Sequence, residues 1–366
     1  MKTRKPAPNR RHFLAGTAAA GGALALGLPF GAPAVHAQDR SLKVGTYGGY
    51  FEESFTKHIY PDFTQATGIT VESIAEPTGD QWLLQLEQAA KAGVAPADVS
   101  MMANTVRIRG ERSGLWAALD ESKVANISNL KPEFVFKYPD GRLYGAGAVS
   151  WYITLVTNTE TYAEAPTSWA ELWDAGNEDS IGLLALSSNS FLLEITAHTF
   201  FGGNDVLNTE EGVIKVLEKL AEAKPNVRLW YRDEGQFQAA LQSGEIPMGQ
   251  YYHDVAGLAA ADGFPVRSTF PKEGGVVDSG AWVLSKASKK NDEAEVFINY
   301  MCQPSVQAEL SRKVGTAPVV PRASTDLSDD EFNAVASEIA PIVPKYDLYI
   351  DKGDWVAEKW IEMITG

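Results

Sequence analysis

The chain has 366 residues, 45% hydrophobic and 22% charged, the balance of an ordinary globular protein with material for two lobes. Its 47 acidic and 32 basic residues give a formal net charge of −15, which argues against nucleic acid or an anionic membrane surface as a partner. A single cysteine, Cys302, excludes an intrachain disulfide and reads as a small buried hydrophobe.

The first 37 residues read as an export signal. Lys2, Arg4, Lys5, Arg10 and Arg11 precede an apolar, small-residue run over 13–28 and a small-residue exit at Val35-His36-Ala37. Arg10-Arg11-His12-Phe13-Leu14 resembles a twin-arginine signal. The run is shorter than the ~20 apolar residues a membrane span needs and is broken by Gly and Pro, so a soluble, exported mature protein is expected. Without residues 1–37 the 32 basic residues lose five, leaving 27 against 47 acidic and a net charge of −20. Such acidity mildly favours cationic ligands.

Residues 42–47 alternate and stop at Gly48-Gly49, a strand feeding a turn. A helical pattern over 51–66 follows, with Phe51, Phe55, His58, Ile59 and Phe63 on one face. Gly68 closes it; 69–74 is a second strand, 82–90 an amphipathic helix ended near Gly93, and 97–102 a third strand. This alternation builds a parallel sheet whose ligands bind outside the carboxyl ends of the strands, here 47–50, 75–79 and 103–105.

After a polar, loop-rich stretch, Leu143–Asn158 reads LYGAGAVSWYITLVTN. Small residues at 145–148 lead into a β-branched and aromatic run over 149–156, a buried strand. Glycines at its entry suit a place where the chain passes between lobes. Thr167-Ser168-Trp169-Ala170-Glu171-Leu172-Trp173 is a capped helix. Ser187-Ser188-Asn189-Ser190, after a strand at 181–186, is either a helix cap or an anion-holding helix start. Helices over 191–201, 212–223 and 237–242 surround strands at 227–231 and 246–252, the latter ending on Tyr251-Tyr252. The turn at 271–275 leads to a strand over 276–284, where Asp278 stands among apolar residues and requires a partner if ionised. Helices over 293–301 and 305–314 and a helical tail complete the chain. No GxSxG, HExxH, P-loop or GxGxxG occurs and the histidines have no metal-ligand spacing, so neither enzyme activity nor a cofactor is expected.

DFTQATGITV at 62–71, the aromatic-centred 144–158, the 167–173 helix, SGEIPM at 243–248, PKEGG at 271–275 and AEVFINYMCQP at 294–304 follow one another in a familiar order. Together they resemble the extracellular solute-binding proteins of ABC importers, in the branch of the spermidine/putrescine binders. The resemblance implies a type II periplasmic-binding-protein fold of the α/β class. It has two lobes, each a mixed sheet flanked by helices, that close about a hinge on a small ligand and dock on a membrane permease. On this reading 40–147 with 275–316 form one lobe and 148–274 with 317–366 the other, with crossings near 145–151 and 270–278.

Polyamine binders sandwich the ligand stem between aromatics and hold its ammonium ends with carboxylates. Cation–π attraction is worth ~0.5–2 kcal/mol per ring, and charge-assisted hydrogen bonds add more. Carried over by position, Tyr47 falls at the first-strand aromatic, Glu76 beside the second strand end, Tyr252 at the aromatic after the Gly-Glu-Ile strand, and Asp278 at the acid after the Lys-Glu-Gly-Gly turn. Asn104, Trp151, Ser187, Ser188 and Tyr231 complete the expected lining. Trp151 rather than Tyr152 is expected to face the ligand, since neighbours on a strand point to opposite faces. Where polyamine binders place acids in the second lobe this chain has Ser187-Ser188-Asn189-Ser190. That points away from a diamine, toward an amino acid or aminophosphonate type with one cationic and one neutral or anionic end. A monomeric periplasmic receptor is expected, with an amine-bearing solute and a permease as partners and no nucleic acid. The alternative is ferric-iron binding through adjacent Tyr251 and Tyr252, whose phenolates are hard ligands. No His or Glu at 47–50 or 103–105 completes that shell.

Overall fold

The computed structural model describes residues 40–366 apart from Gly49, 77–79 and Asp233. The expected export signal at 1–37 lies outside the described residues. β1 (Ser41–Tyr47), α1 (Tyr50–His58), α2 (Tyr60–Thr67), β2 (Thr70–Glu76), α3 (Asp80–Lys91), β3 (Val99–Ala103) and α4 (Asn104–Arg112) open the chain. The single helix expected over 51–66 is two. Pro61 lacks the N–H an unbroken helix would need there, and instead it sits in the first turn of α2. Gly68, at φ 70°, then ends α2 with its N–H on Thr64 O.

The short β4 (Val135–Lys137) precedes β5 (Leu143–Asn158), which is one strand throughout. The glycine-rich 145–148 lies inside this strand, and its small residues serve close packing. A Cβ at Gly147 would lie 2.7 Å from Phe134 Cβ. Then come β6 (Ile181–Leu184), α5 (Ser187–Ser190), α6 (Leu192–Phe200), α7 (Glu210–Ala221), β7 (Val227–Tyr231), α8 (Glu234–Ser243), β8 (Met248–Tyr252) and α9 (His253–Ala261). β9 (Val266–Thr269), β10 (Val276–Leu284), α10 (Asn291–Met301), α11 (Pro304–Val314), α12 (Asp329–Asn333), α13 (Tyr346–Asp351) and α14 (Gly353–Thr365) follow. The helix expected at 167–173 is a 3₁₀ turn over Trp169–Trp173, capped by Ser168.

The strands run in the order β2-β1-β3-β10-β5-β8-β6-β7, with β4 and β9 also paired to β5. β1, β2 and β3 are parallel, as are β6, β7 and β8, while β10 and β5 join the two groups antiparallel. Each parallel group packs its own core. Val44, Phe55, Phe63, Trp282 and Phe297 centre the first, and Leu155, Trp169, Leu183, Ile195 and Val216 the second.

The chain changes core at one level of the sheet. Tyr152 and Val277 pack in the first core; their neighbours Ile153 and Val276 pack in the second. These residues are register partners, Tyr152 with Val277 and Ile153 with Val276. A third passage lies between Ala336, in the first core, and Ile342, in the second, whose backbone bonds Gly275 O and Val277 N at 2.9 Å each. Residues 317–336, expected with the second lobe, thus place Ala317, Val319, Phe332 and Val335 in the first core. The Gln307 side chain, which bonds Val319 N and Ala148 O, ties that segment down. Among the described residues no helix is long and apolar enough to cross a membrane.

Candidate functional site

The carboxyl ends of β1, β3 and β8 and the loop after β6 converge on the face of β5 and β10 that carries Trp151 and Asp278. Those two are register partners, as are Ile153 and Tyr252 on the adjoining pair, so strand alternation sets four side chains on one floor. The cavity above this floor has a volume of about 330 Å³, within the range of small-ligand pockets. Tyr47, Phe51, Phe191 and Asp254 contribute to its walls. Tyr47 meets Phe51 and Trp151 edge-on, with ring centroids 5.8 and 6.3 Å apart. The result is an aromatic enclosure whose π faces attract a cation.

Asp278 is held from one side. Its Oδ1 accepts hydrogen bonds from Asn104 Nδ2 (3.1 Å), Tyr346 Oη (2.7 Å) and its neighbour's amide, Ser279 N (2.8 Å). Oδ2 has no protein hydrogen bond among the described residues, and the residue lines the cavity. One oxygen is spent on orientation, and the other is left to a further donor. Asn104 is itself oriented by Arg107, whose Nε and Nη2 donate to Asn104 Oδ1 at 3.4 and 3.2 Å. A guanidinium only donates, so the amide oxygen must face Arg107 and the NH2 must face Asp278. Burial pushes the Asp278 carboxyl above its ordinary range, while the bonds from Tyr346, Asn104 and Ser279 and the Arg107 charge pull it back.

Tyr47, Trp151, Tyr252 and Asp278 are therefore brought together, and Trp151 rather than Tyr152 faces the cavity. Asn104 lies behind Asp278 and aims it. Four expected lining residues sit elsewhere. Tyr231 packs into a separate apolar cluster with Leu184, Phe237 and Leu241, stacked on Phe237 at 4.7 Å, with its hydroxyl on Gln250 O, because it ends the far edge strand and not a central one. Ser187 and Ser188 lie outside the cavity: the turn of α5 carries Asn189 to the lining in their place, and Ser188 bonds Asn189. Glu76 is buried beneath the first lobe's strands. Burial pushes it up to about 8 although Ser100, Met101 N and Trp82 bond it, so at neutral pH it is chiefly protonated and supplies little counter-charge.

Sequence reasoning missed Asp254 and Phe191. Asp254 lies two residues beyond Tyr252 in the first turn of α9, at a strand's carboxyl end, which is where a ligand carboxylate was to be sought. Phe191 is left-handed at φ 52°, a costly conformation for an aromatic residue, and it joins α5 to α6 with its ring on the cavity. Nothing in its sequence neighbourhood signals that. The adjacent tyrosines meet edge-on with ring centroids 5.6 Å apart, yet Tyr251 is buried with Phe237 and Ala256 while Tyr252 lines the cavity. Of the tyrosine pair of the ferric-iron alternative, one member lines this cavity.

A two-lobed α/β architecture with a ligand-sized cavity at the strand ends between its two halves defines a solute receptor of the periplasmic-binding class. The chain belongs to the bacterial extracellular solute-binding protein family, whose profile matches residues 59–336. It is 28% identical to the spermidine/putrescine-binding periplasmic protein 1 of Haemophilus influenzae over 266 residues, 69% of each chain. It is 25% identical to the gamma-aminobutyric acid-binding protein of Pseudomonas aeruginosa over 301 residues, 80% of each. Among solved structures it resembles an ABC transporter substrate-binding protein from Bradyrhizobium japonicum (TM-score 0.75, 20% identity, covering 89% of this chain and 100% of that one). It also resembles the spermidine/putrescine substrate-binding protein of Streptococcus pneumoniae (TM-score 0.72, 18% identity, covering 88% and 98%). These relatives are transport receptors and not enzymes.

Proposed function

We propose that this protein is the periplasmic receptor of an ABC importer for a small amine-bearing solute, and that a polyamine is its ligand. The observation that carries the reading is Asp278. It is a carboxylate fixed through one oxygen, with the other open to a cavity walled by Tyr47, Trp151 and Tyr252. An ammonium group set there gains a charge-assisted hydrogen bond and the faces of the rings. Asp254 supplies a second carboxylate, and the described lining residues include no lysine or arginine. That charge pattern supports a ligand cationic at both ends, against the zwitterion suggested by the serines at 187–190. A γ-aminobutyrate-like zwitterion is the second reading, favoured by the Pseudomonas relative and by the neutral Asn189 amide on the lining.

In this reading the solute is captured as the lobes close. Bending would occur where the three passages meet, at Tyr152/Ile153, Val276/Val277 and 337–341, the places where the chain changes core. These divide the lobes at different points from the sequence-based boundaries at 147, 274 and 316. The closed receptor would then dock on its permease. Calorimetric titration with putrescine, spermidine, γ-aminobutyrate, choline and 2-aminoethylphosphonate tests the reading. Saturable heat with a polyamine is expected; binding of none of the amines overturns it.

A further inference from the structure

Tyr346 does not line the cavity, yet its hydroxyl is 2.7 Å from Asp278 Oδ1 and 3.1 Å from Asn104 Nδ2. It lies some seventy residues beyond Asp278 in sequence, on α13, and that helix belongs to the second half of the molecule. Leu348 and Tyr349 of α13 are in the second core. Glu194, fully buried on α6, fastens the helix there: Oε1 accepts from Lys345 N at 2.8 Å and Oε2 from Tyr349 Oη at 2.7 Å. Asn104 is anchored in the first half, at the end of β3, by Arg107. The Arg107 guanidinium in turn lies 3.8 Å from the Phe136 ring centroid. Asp278 Oδ1 therefore takes side-chain donors from both sides of the molecule, Asn104 from the first half and Tyr346 from the second.

We propose that Tyr346 is a positioning residue of the amine site, through which the second lobe holds the Asp278 carboxylate ionised and aimed at the ligand. This rests on the reading of Asp278 as the ammonium partner. The groups facing Asp278 are Tyr47 from β1, Asn104 and the Arg107 charge from α4, and Tyr346 from α13; Asp254 of α9 lies on the same cavity, and Glu76 acts on Tyr47. Arg107 alone among these is cationic, and it reaches the carboxylate through Asn104. The phenol donor is thus one of few groups that favour the charged form, and removing it raises the pH at which Asp278 ionises.

The test is Tyr346→Phe, which keeps the ring and its packing. Polyamine affinity is expected to fall about 10-fold. The acid limb of affinity against pH is expected to move up by about one unit, a change that loss of packing alone does not produce. In parallel, the Asp278 carboxyl carbon is followed by ¹³C NMR in the ligand-free protein, assigned by the signal missing in Asp278→Asn. Its midpoint should rise in Tyr346→Phe. An unchanged midpoint, or an unchanged affinity and acid limb, overturns the proposal. If wild-type protein binds no amine, the functional reading fails, while the ligand-free titration still decides what Tyr346 does to Asp278.

Discussion

Asp278→Asn separates charge from shape at the centre of the cavity. An asparagine placed with its amide oxygen at Oδ1 keeps the bonds from Asn104, Tyr346 and Ser279 N, so the local fold should be retained. The atom facing the ligand then becomes an NH2, which donates where an ammonium group also donates. The loss comprises one charge-assisted bond, worth about 1.5–3 kcal/mol, and a share of the cost of leaving an ammonium in an aromatic enclosure without its counter-ion. Truncated buried charge pairs lose about 2–5 kcal/mol. A value near 3 kcal/mol follows, about 150-fold in Kd. Titration calorimetry from pH 4 to pH 9 measures it. Burial places the wild-type carboxyl above its ordinary range, so wild-type affinity should fall as pH drops through that raised value, and the variant should show no such limb. The ligand-free variant should melt no lower than wild type near neutral pH, because it no longer buries a charge. A Kd within threefold of wild type, or an acid limb surviving in the variant, would refute the assignment of Asp278.

Three further outcomes follow from other parts of the structure. Trp151→Ala should weaken polyamine binding by about 3- to 30-fold, one cation–π contact, with Trp151→Phe recovering part of it; equal affinities would remove Trp151 from the site. Glu76 ionises at about 8 in the fold against an ordinary 4.5, so its contribution to stability is fully present below about 4.5 and is lost as pH rises through about 8. Glu76→Gln should therefore melt progressively higher than wild type between pH 6 and 9, by an amount on the order of a few kcal/mol, and parallel melting curves over that range would show that Glu76 is not buried as described. Gly274 has φ 103°, and a Cβ there would stand 2.3 Å from Ala340 O where two of the lobe passages touch. Gly274→Ala should lower Tm by at least about 3 °C in scanning calorimetry; an unchanged Tm would mean that the passages are not packed this closely.

Much of the architecture was legible from periodicity and punctuation. Strands β1, β2, β3, β6, β7, β8 and β10 fall near where alternation and turn residues place them, and Gly68 ends its helix as a left-handed cap. Strand alternation set Trp151 and Tyr152 on opposite faces, with the family resemblance fixing the direction of the stretch, and Asp278 was singled out because a carboxylate in an apolar run must answer to something. The errors came where a local signal had more than one tertiary use. Small residues at 145–148 suggested a passage between lobes, but they serve close packing inside β5, and the chain changes core at Tyr152/Ile153. Tyr231 ends a strand as Tyr47 and Tyr252 do, yet its strand lies at the sheet's far edge.

The sequence by itself thus determined the α/β alternation, the family's order of segments and an acidic, aromatic-rich set of candidates, because hydrophobic period and turn chemistry act over a few residues. Only the tertiary structure decided which candidates meet. Strand order carries Tyr231 away and brings Asp254 in, and burial turns Glu76 into a chiefly neutral acid at pH 7. Helix α13, which no pattern near Asp278 announces, supplies the Tyr346 hydroxyl that holds it. Register across β5 and β10 and desolvation at their meeting point depend on residues far apart in the chain, and no local pattern encodes them.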